Sequence, residues 1–241
     1  LMAIAIGLSA WQRLGLEWSL AIATARTIGQ LFIVGAILDI VFRLDNPWTV
    51  LAVVLVMLTI AAVVSRNRIG KKIPRVLPLV WISIFVSTAF TLSYVNLLIV
   101  QPQRWYEPQY IIPLAGIILG TAINGAAIAG ERLVSTINAS QLEIETHLSL
   151  GATPQQAVAQ YRKDAIRAGL IPILNQMMVI GIVTLPGIIT GQILSGVNPL
   201  DAASYQILVM FMLAFTNLVT AILVTQGLCH QFFNSAAQLI R

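Results

Sequence analysis

The chain has 241 residues, of which 58% are hydrophobic and only 10% charged, with a mean hydropathy of +0.86. Water-soluble domains carry about a quarter charged residues, so this composition excludes a protein solvated mainly by water. The net charge of +5 does not point to nucleic acid: no basic soluble domain carries it, and the cations sit in short clusters between apolar runs.

A transmembrane helix needs roughly 20 apolar residues to cross about 30 Å of hydrocarbon, and the sequence reads as an all-α polytopic membrane protein with seven such spans. Short alternating segments typical of a membrane β-barrel are absent. The first span ends near Trp11, and Leu1 to Trp11 reads as the tail of a span or as an uncleaved signal-like anchor without an A-x-A cleavage site. The second runs from about Ser19 to Phe42, the third from Pro47 to Val64, and the fourth from Leu79 to Val100. The fifth covers Tyr110 to Gly130, the sixth Ile171 to Leu194 and the seventh Ser204 to Leu228.

Charge sets the expected orientation, because short cytoplasmic loops are enriched in Lys and Arg. Arg66, Arg68, Lys71, Lys72 and Arg75 lie between spans three and four, and Arg162, Lys163 and Arg167 lie between spans five and six. Placing both clusters inside puts the weakly charged loops at 43–45, 104–107 and 198–201 outside. The N-terminus then lies outside and the C-terminus inside. The expected domain organisation is a single transmembrane domain over 1–241 with a cytoplasmic helical insert at 131–170.

Within that insert, QLEIETHLSLGATPQQA from Gln141 to Ala157 is polar and helix-forming. Gly151 fits the left-handed position after a helix end. Thr153, Pro154 and Gln156 supply an N-cap, a first-turn proline and a capping-box partner. Two helices meeting at a sharp corner are predicted, with the first running to Leu150. The spacing from Glu145 to Gly151 resembles the EAA loop that ABC-transporter permeases present to a separate ATPase. On that reading Glu143, Glu145, Leu150, Gly151, Ala152, Thr153, Pro154 and Gln155 are the ATPase-coupling residues. An interfacial amphipathic helix is the alternative. Thr146 and His147 stand where importer loops carry alanines, and Leu170-Ile171-Pro172 lies too far on to close that motif. No G-x-x-x-x-G-K-[ST] phosphate loop occurs, so the chain is not expected to be an enzyme, and ATP and Mg would be bound by a partner subunit.

Span six carries the richest pattern: Asn175, Gln176, Met177 and Met178, then Thr184 and Pro186, then Thr190 and Gln192. Pro186 removes a backbone donor, so a kink or break is expected there. Freed carbonyls at membrane depth belong where protein or a water-filled cavity covers them. These eight residues, with Asn124 in span five, are the candidate substrate pathway; kinking with interhelical hydrogen bonds is the plainer alternative. Arg26 and Gln30 join the candidates because an arginine at a span centre costs about 2.5–3.5 kcal/mol, although snorkelling to the headgroups also accommodates it. Met177, Met178, Met210 and Met212 could offer thioethers to a soft metal or simply pack, and the metal ligands stay unassigned. Cys229 and His230 are adjacent, about 100° apart on a helix, and receive no role. The G-x-x-x-G pairs Gly116/Gly120 and Gly187/Gly191 suit close helix packing, either within the chain or between copies. No acidic pair or Ser–His arrangement supports catalysis.

Several stretches resemble one permease family almost throughout: Arg26 to Leu31, Pro113 to Gly116, Gly120 to Asn124 followed by Glu131 to Leu133, LGATPQQA, and the run after Ala165. The chain resembles the FetB type of ABC permease, which includes plant aluminium-tolerance half-transporters. The resemblance implies a permease, expected as a homodimer in the bacterial inner membrane, pairing with a cytosolic ATPase and exporting iron. A nucleotide sugar is the alternative cargo, and a membrane scaffold or an ion-driven carrier are alternative classes. Ile188 and Ile189 replace two methionines expected in bacterial members, and Thr121 replaces an asparagine.

Overall fold

The computed structural model describes residues 1–70, 73, 75–102, 104–234, 238 and 239. Lys71 and Lys72 of the basic cluster lie outside these. The described chain is helical, with only isolated β-bridges besides, as the composition predicts. It divides into two compact units, residues 1–50 and 51–241.

In the first unit, α1 (Met2–Trp11) is followed by α2 (Glu17–Leu44). The Ser9 hydroxyl donates to Glu17 across the turn at 3.0 Å, and Glu17 sits in the first turn of α2, where helix N–H groups favour a carboxylate. Most of α2 is exposed, with Val41 its buried residue. Arg26 and Gln30 are both exposed on it.

The second unit takes in most of α3 (Pro47–Ile69), then α4 (Val76–Val95, continued by a π-turn at Asn96–Val100) and α5 (Pro108–Ala139). After these come α6 (Gln141–Ser149), α7 (Pro154–Ala157), α8 (Ala159–Val179), α9 (Gly187–Leu194) and α10 (Pro199–Gln231). Helices α4, α5, α8 and α10 pack on one another, and two apolar clusters form the core. One holds Ile84, Leu133, Ile137, Ile144, Ala165 and Val224; the other holds Ile118, Ile173, Val209, Met210 and Leu213. Small residues set the closest approach. A side chain on Gly125 of α5 would collide with the Asn217 amide of α10, and one on Gly169 of α8 would meet the Gly125 carbonyl oxygen at 3.2 Å.

Among the described residues, five helices are long and apolar enough to cross a membrane, against the seven spans expected: α2, α3, α4 with its π-turn, α5 and α10. Two expectations account for the difference. Helix α1 has ten residues, about 15 Å at 1.5 Å per residue. The sixth span divides into α8 and α9, with residues 180–186 outside either helix. The structure also moves two boundaries. Helix α5 continues past Gly130 because Leu133 and Ile137 stay fully buried while Glu131 and Arg132 turn outward. Helix α8 starts at Ala159, well before Ile171, and buries Ala165, Gly169 and Ile173 at four-residue spacing.

Candidate functional site

The first candidate region is the corner between α6 and α7. Helix α6 ends in a Schellman arrangement: the Gly151 N–H donates to the Leu148 carbonyl and the Ala152 N–H to the His147 carbonyl, both at 3.0 Å. This requires a left-handed residue, and Gly151 has φ +90°. Two residues on, Thr153 Oγ1 accepts from the Gln156 N–H at 3.3 Å, while Gln156 Oε1 accepts from the Thr153 N–H at 2.9 Å. The predicted capping box is therefore formed, with Pro154 at the first helical position. The expected single helix up to Leu150 is interrupted at Ser140, where α5 hands over to α6.

Beneath the corner, Ile144, Ala157 and Val158 are buried and tie it to the core. Tyr161 of α8 bonds to Glu143; burial first, then that carboxylate, raises the phenol above its ordinary pKa, while Ser140 pulls it down. Glu143, Glu145, Leu150, Gly151, Thr153 and Gln155 are exposed, and Ala152 and Pro154 half-buried. Leu150 is 81% exposed and Leu142, which the sequence did not single out, is 80% exposed. Leu142 lies in the first turn of α6 and Leu150 just past its end.

The second region is the gap between α8 and α9. Helix α8 stops where Ile180 becomes extended and Gly181 takes φ +79°, and the Gly181 N–H donates to the Thr184 carbonyl at 2.9 Å. Pro186 was expected to kink or break the span; it stands as the N-cap of α9, while the interruption begins at Ile180. Met177 and Pro186 line a cleft of about 460 Å³ with Gln206 and Met210 of α10. Gln192 lines a separate cleft of about 400 Å³ with Gln109, Tyr110 and Tyr205. Asn124, Asn175, Gln176, Met178, Thr184 and Thr190 are exposed and line neither. The proposed pathway set is thus distributed over the unit's surface and two clefts, with Arg26 and Gln30 in the other unit.

The glycine pairs also separate. A side chain on Gly116 would stand 3.3 Å from Met57 of α3, whereas Gly120, Gly187 and Gly191 have nothing within 4 Å. Met210 and Met212 are buried in the second apolar cluster and Met177 packs against it. Among the described residues, no three His, Cys, Asp or Glu side chains gather where they could hold a metal.

The buried polar groups are ones the sequence reading passed over. Ser87 and Thr220 share a hydrogen bond of 2.7 Å, and Thr91 and Thr216 one of 2.8 Å, both joining α4 to α10. Asn217 donates to the Gly169 carbonyl at 3.0 Å, while its Oδ1, with Thr88 Oγ1 and Gln206 Oε1, is buried without a hydrogen-bond partner. Their signal was the four-residue spacing of Ser83, Ser87 and Thr91 on α4 and of Thr216 and Thr220 on α10.

Comparison with known proteins adds relatives along the whole chain. Residues 1–233 match the model of a family described as an uncharacterised protein family, UPF0014. The chain is 53% identical over 240 residues to the UPF0014 membrane protein slr1647 of Synechocystis sp., covering 100% of this chain and 93% of that one. It is 35% identical over 240 residues to the "Probable iron export permease protein FetB" of Escherichia coli, covering 100% and 91%. To the protein ALUMINUM SENSITIVE 3 of Arabidopsis thaliana it is 33% identical over 236 residues, covering 98% and 85%. No solved structure matches.

Proposed function

Because the chain belongs to the UPF0014 family, we propose that it is the membrane-spanning permease subunit of an ABC transporter. It exports metal ions, iron first among them, using ATP hydrolysed with Mg by a separate cytosolic subunit. The observation that carries this reading is the α6–α7 corner. It is closed at both helix ends by backbone and capping-box hydrogen bonds, anchored by Ile144, and presents Leu142 and Leu150 outward. A rigid projection with exposed leucines suits docking into a groove on another protein, since apolar anchors in pockets dominate interface energetics. The relative named as an iron export permease supports the cargo.

The corner lies in the cytoplasm of a bacterial cell, the N-terminus outside and the C-terminus inside. Two copies assemble in the inner membrane. Exposed Asn124, Asn175, Gln176 and Thr190 are costly against lipid. A second copy places them on a shared, wetted pathway, where uncovered polar groups are tolerated. Closure of the ATPases pushes on residues 151–157, moves α5 and α8, and opens that pathway alternately to each side.

The test is ATP hydrolysis by the chain co-reconstituted in liposomes with its candidate ATPase. It is scanned against ferrous iron, other divalent metals and a nucleotide sugar. Stimulation by ferrous iron, with ATP-dependent iron movement, is the expected result. Stimulation by the nucleotide sugar alone would replace the cargo and retain the pump. Failure to form a complex would remove the permease reading.

A further inference from the structure

Where α7 and α8 begin and α10 ends, a cleft of about 530 Å³ opens between them. Its polar lining offers hydrogen-bond donors from the Arg162 guanidinium, the His230 ring and the Gln155, Gln226 and Asn234 amides, the amides also carrying carbonyl acceptors. Among the described residues no aspartate or glutamate lines it, and Phe233 and Cys229 supply apolar wall. Other cations occupy this end of the bundle. Gln231 Nε2 donates to the Arg75 carbonyl at 3.3 Å, fastening the last turn of α10 to the start of α4, and Arg66 and Arg68 lie in the last turn of α3.

We propose that this cleft binds the phosphate group of an anionic ligand, with Arg162 as the ionic anchor and His230, Gln155 and Gln226 as donors. Guanidinium presents a fork of N–H groups that matches phosphate oxygens. His230 donates a ring N–H in either protonation state. The carbonyl end of α10 opposes an anion with about half a charge, but the start of α8 carries a similar charge of the other sign. The full charge of Arg162 therefore decides the sign of the site. Among the described residues a cation has no carboxylate to meet here, and an uncharged ligand would leave Arg162 unused. Basic pockets between helices at the cytoplasmic ends of membrane proteins suit lipid headgroups, and the wall formed by Phe233 gives an acyl chain a place to lie. Free phosphate has the same recognising chemistry. An occupant joins Gln155, beside the docking corner, to the end of α10. That consequence rests on the proposed ATPase contact, whereas the binding site does not.

Two readouts on the purified chain, without the ATPase, test the site. The first is lipid retention by native mass spectrometry after extraction from phosphatidylglycerol–phosphatidylcholine nanodiscs. The second is the rate of maleimide labelling of Cys229, the chain's one cysteine and 8% exposed, with and without inorganic phosphate. Wild-type chain is expected to retain phosphatidylglycerol about tenfold over phosphatidylcholine, and the double variant Arg162→Gln, His230→Gln to show no preference. Arg162→Lys, which keeps charge but loses the fork, retains an intermediate preference and guards against a folding defect in the double variant. If lipids are not distinguished but inorganic phosphate slows Cys229 labelling in wild type and not in the double variant, the ligand is a soluble phosphate and the site stands. Absence of both effects overturns the proposal, as does an effect that all variants share.

Discussion

The α6–α7 corner and the α8–α9 gap are built from the same local chemistry and behave differently. Each interrupts a helical path with a glycine at positive φ, Gly151 or Gly181, followed by a proline at the start of the next helix. At the corner, Ile144, Ala157 and Val158 are buried around the turn, so the interruption is held at three points in the core. Across the gap, Ile182 is 86% exposed and Val183 77%. Ile180 and Ile188 at its ends are only partly buried against the second apolar cluster, and the turn between them is closed by its own short hydrogen bonds. Punctuation residues decide that a helix stops; burial of the flanks decides whether the stop is a rigid protrusion or a loose strap. On the proposed function, the stiff element suits force transmission and the loose one suits a path that must change shape.

The sharpest way to break this comparison is at the exposed face of the corner. Leu142→Asp with Leu150→Asp should weaken binding of the proposed ATPase partner by roughly thirtyfold or more, the size of an interface hot spot of about 2 kcal/mol. The thermal midpoint of the isolated chain should be unchanged, because both side chains are exposed. Pull-down and hydrolysis assays on the complex check it; retained affinity would mean the corner is not the docking element.

Next comes the packing on which the corner rests. Gly125→Ala forces a methyl group into the Asn217 amide and should cost about 1–3 kcal/mol, the usual range for overpacking. It is read as a lower unfolding midpoint in detergent. Because Gly125 is buried at the crossing of α5 with α10, both helix interruptions should be affected together.

The direct comparison is Gly151→Ala against Gly181→Ala. Each puts a side chain on left-handed backbone, a local strain of about 1–2 kcal/mol. At the corner the buried anchors leave no room to relax, so Gly151→Ala should lose that full amount in stability. The exposed gap should absorb Gly181→Ala by rearranging, with a loss below about 0.5 kcal/mol. Equal losses would show that burial does not distinguish the two.

The smallest effect concerns the hydroxyl pairs that join α4 to α10, away from both interruptions. A double-mutant cycle on Ser87→Ala and Thr220→Val should give a coupling near 0.6 kcal/mol, the average for hydrogen bonds between membrane helices. A coupling near zero would reduce Ser87 and Thr220 to packing.

Much of this was legible from residue order. The capping box at Thr153–Gln156 and the left-handed Gly151 follow from contacts among near neighbours, and the structure forms both. At the corner the sequence reading named the exposed Glu143, Glu145, Leu150, Gly151, Thr153 and Gln155 and passed over Leu142, which reads as one more apolar residue and whose exposure only the structure shows. The pathway candidates on α8 and α9 were less legible. Asn175, Gln176, Met178, Thr184 and Thr190 stand out as polar or polarisable residues in an apolar run, but their spacing cannot say whether a helix face meets protein or lipid. The buried polar residues Ser87, Thr91, Thr216, Asn217 and Thr220 are unremarkable in sequence, because they matter through pairs more than a hundred residues apart, or through Gly169 in the case of Asn217.

By itself, the sequence determined that this is a helical membrane protein with a polar, sharply cornered segment near one end of its bundle. Composition, apolar run length and turn chemistry are properties of adjacent residues. Tertiary structure alone decided that α5 and α8 extend beyond the expected spans, that the sixth span is broken at Ile180 and resumes after Pro186, and that Gly125, Gly169 and Asn217 share one crossing. It also placed Arg162 and His230 on one cleft. These outcomes depend on which faces three or four helices present to each other, and in a chain where nearly every face is apolar, hydrophobicity does not distinguish the buried side from the lipid side.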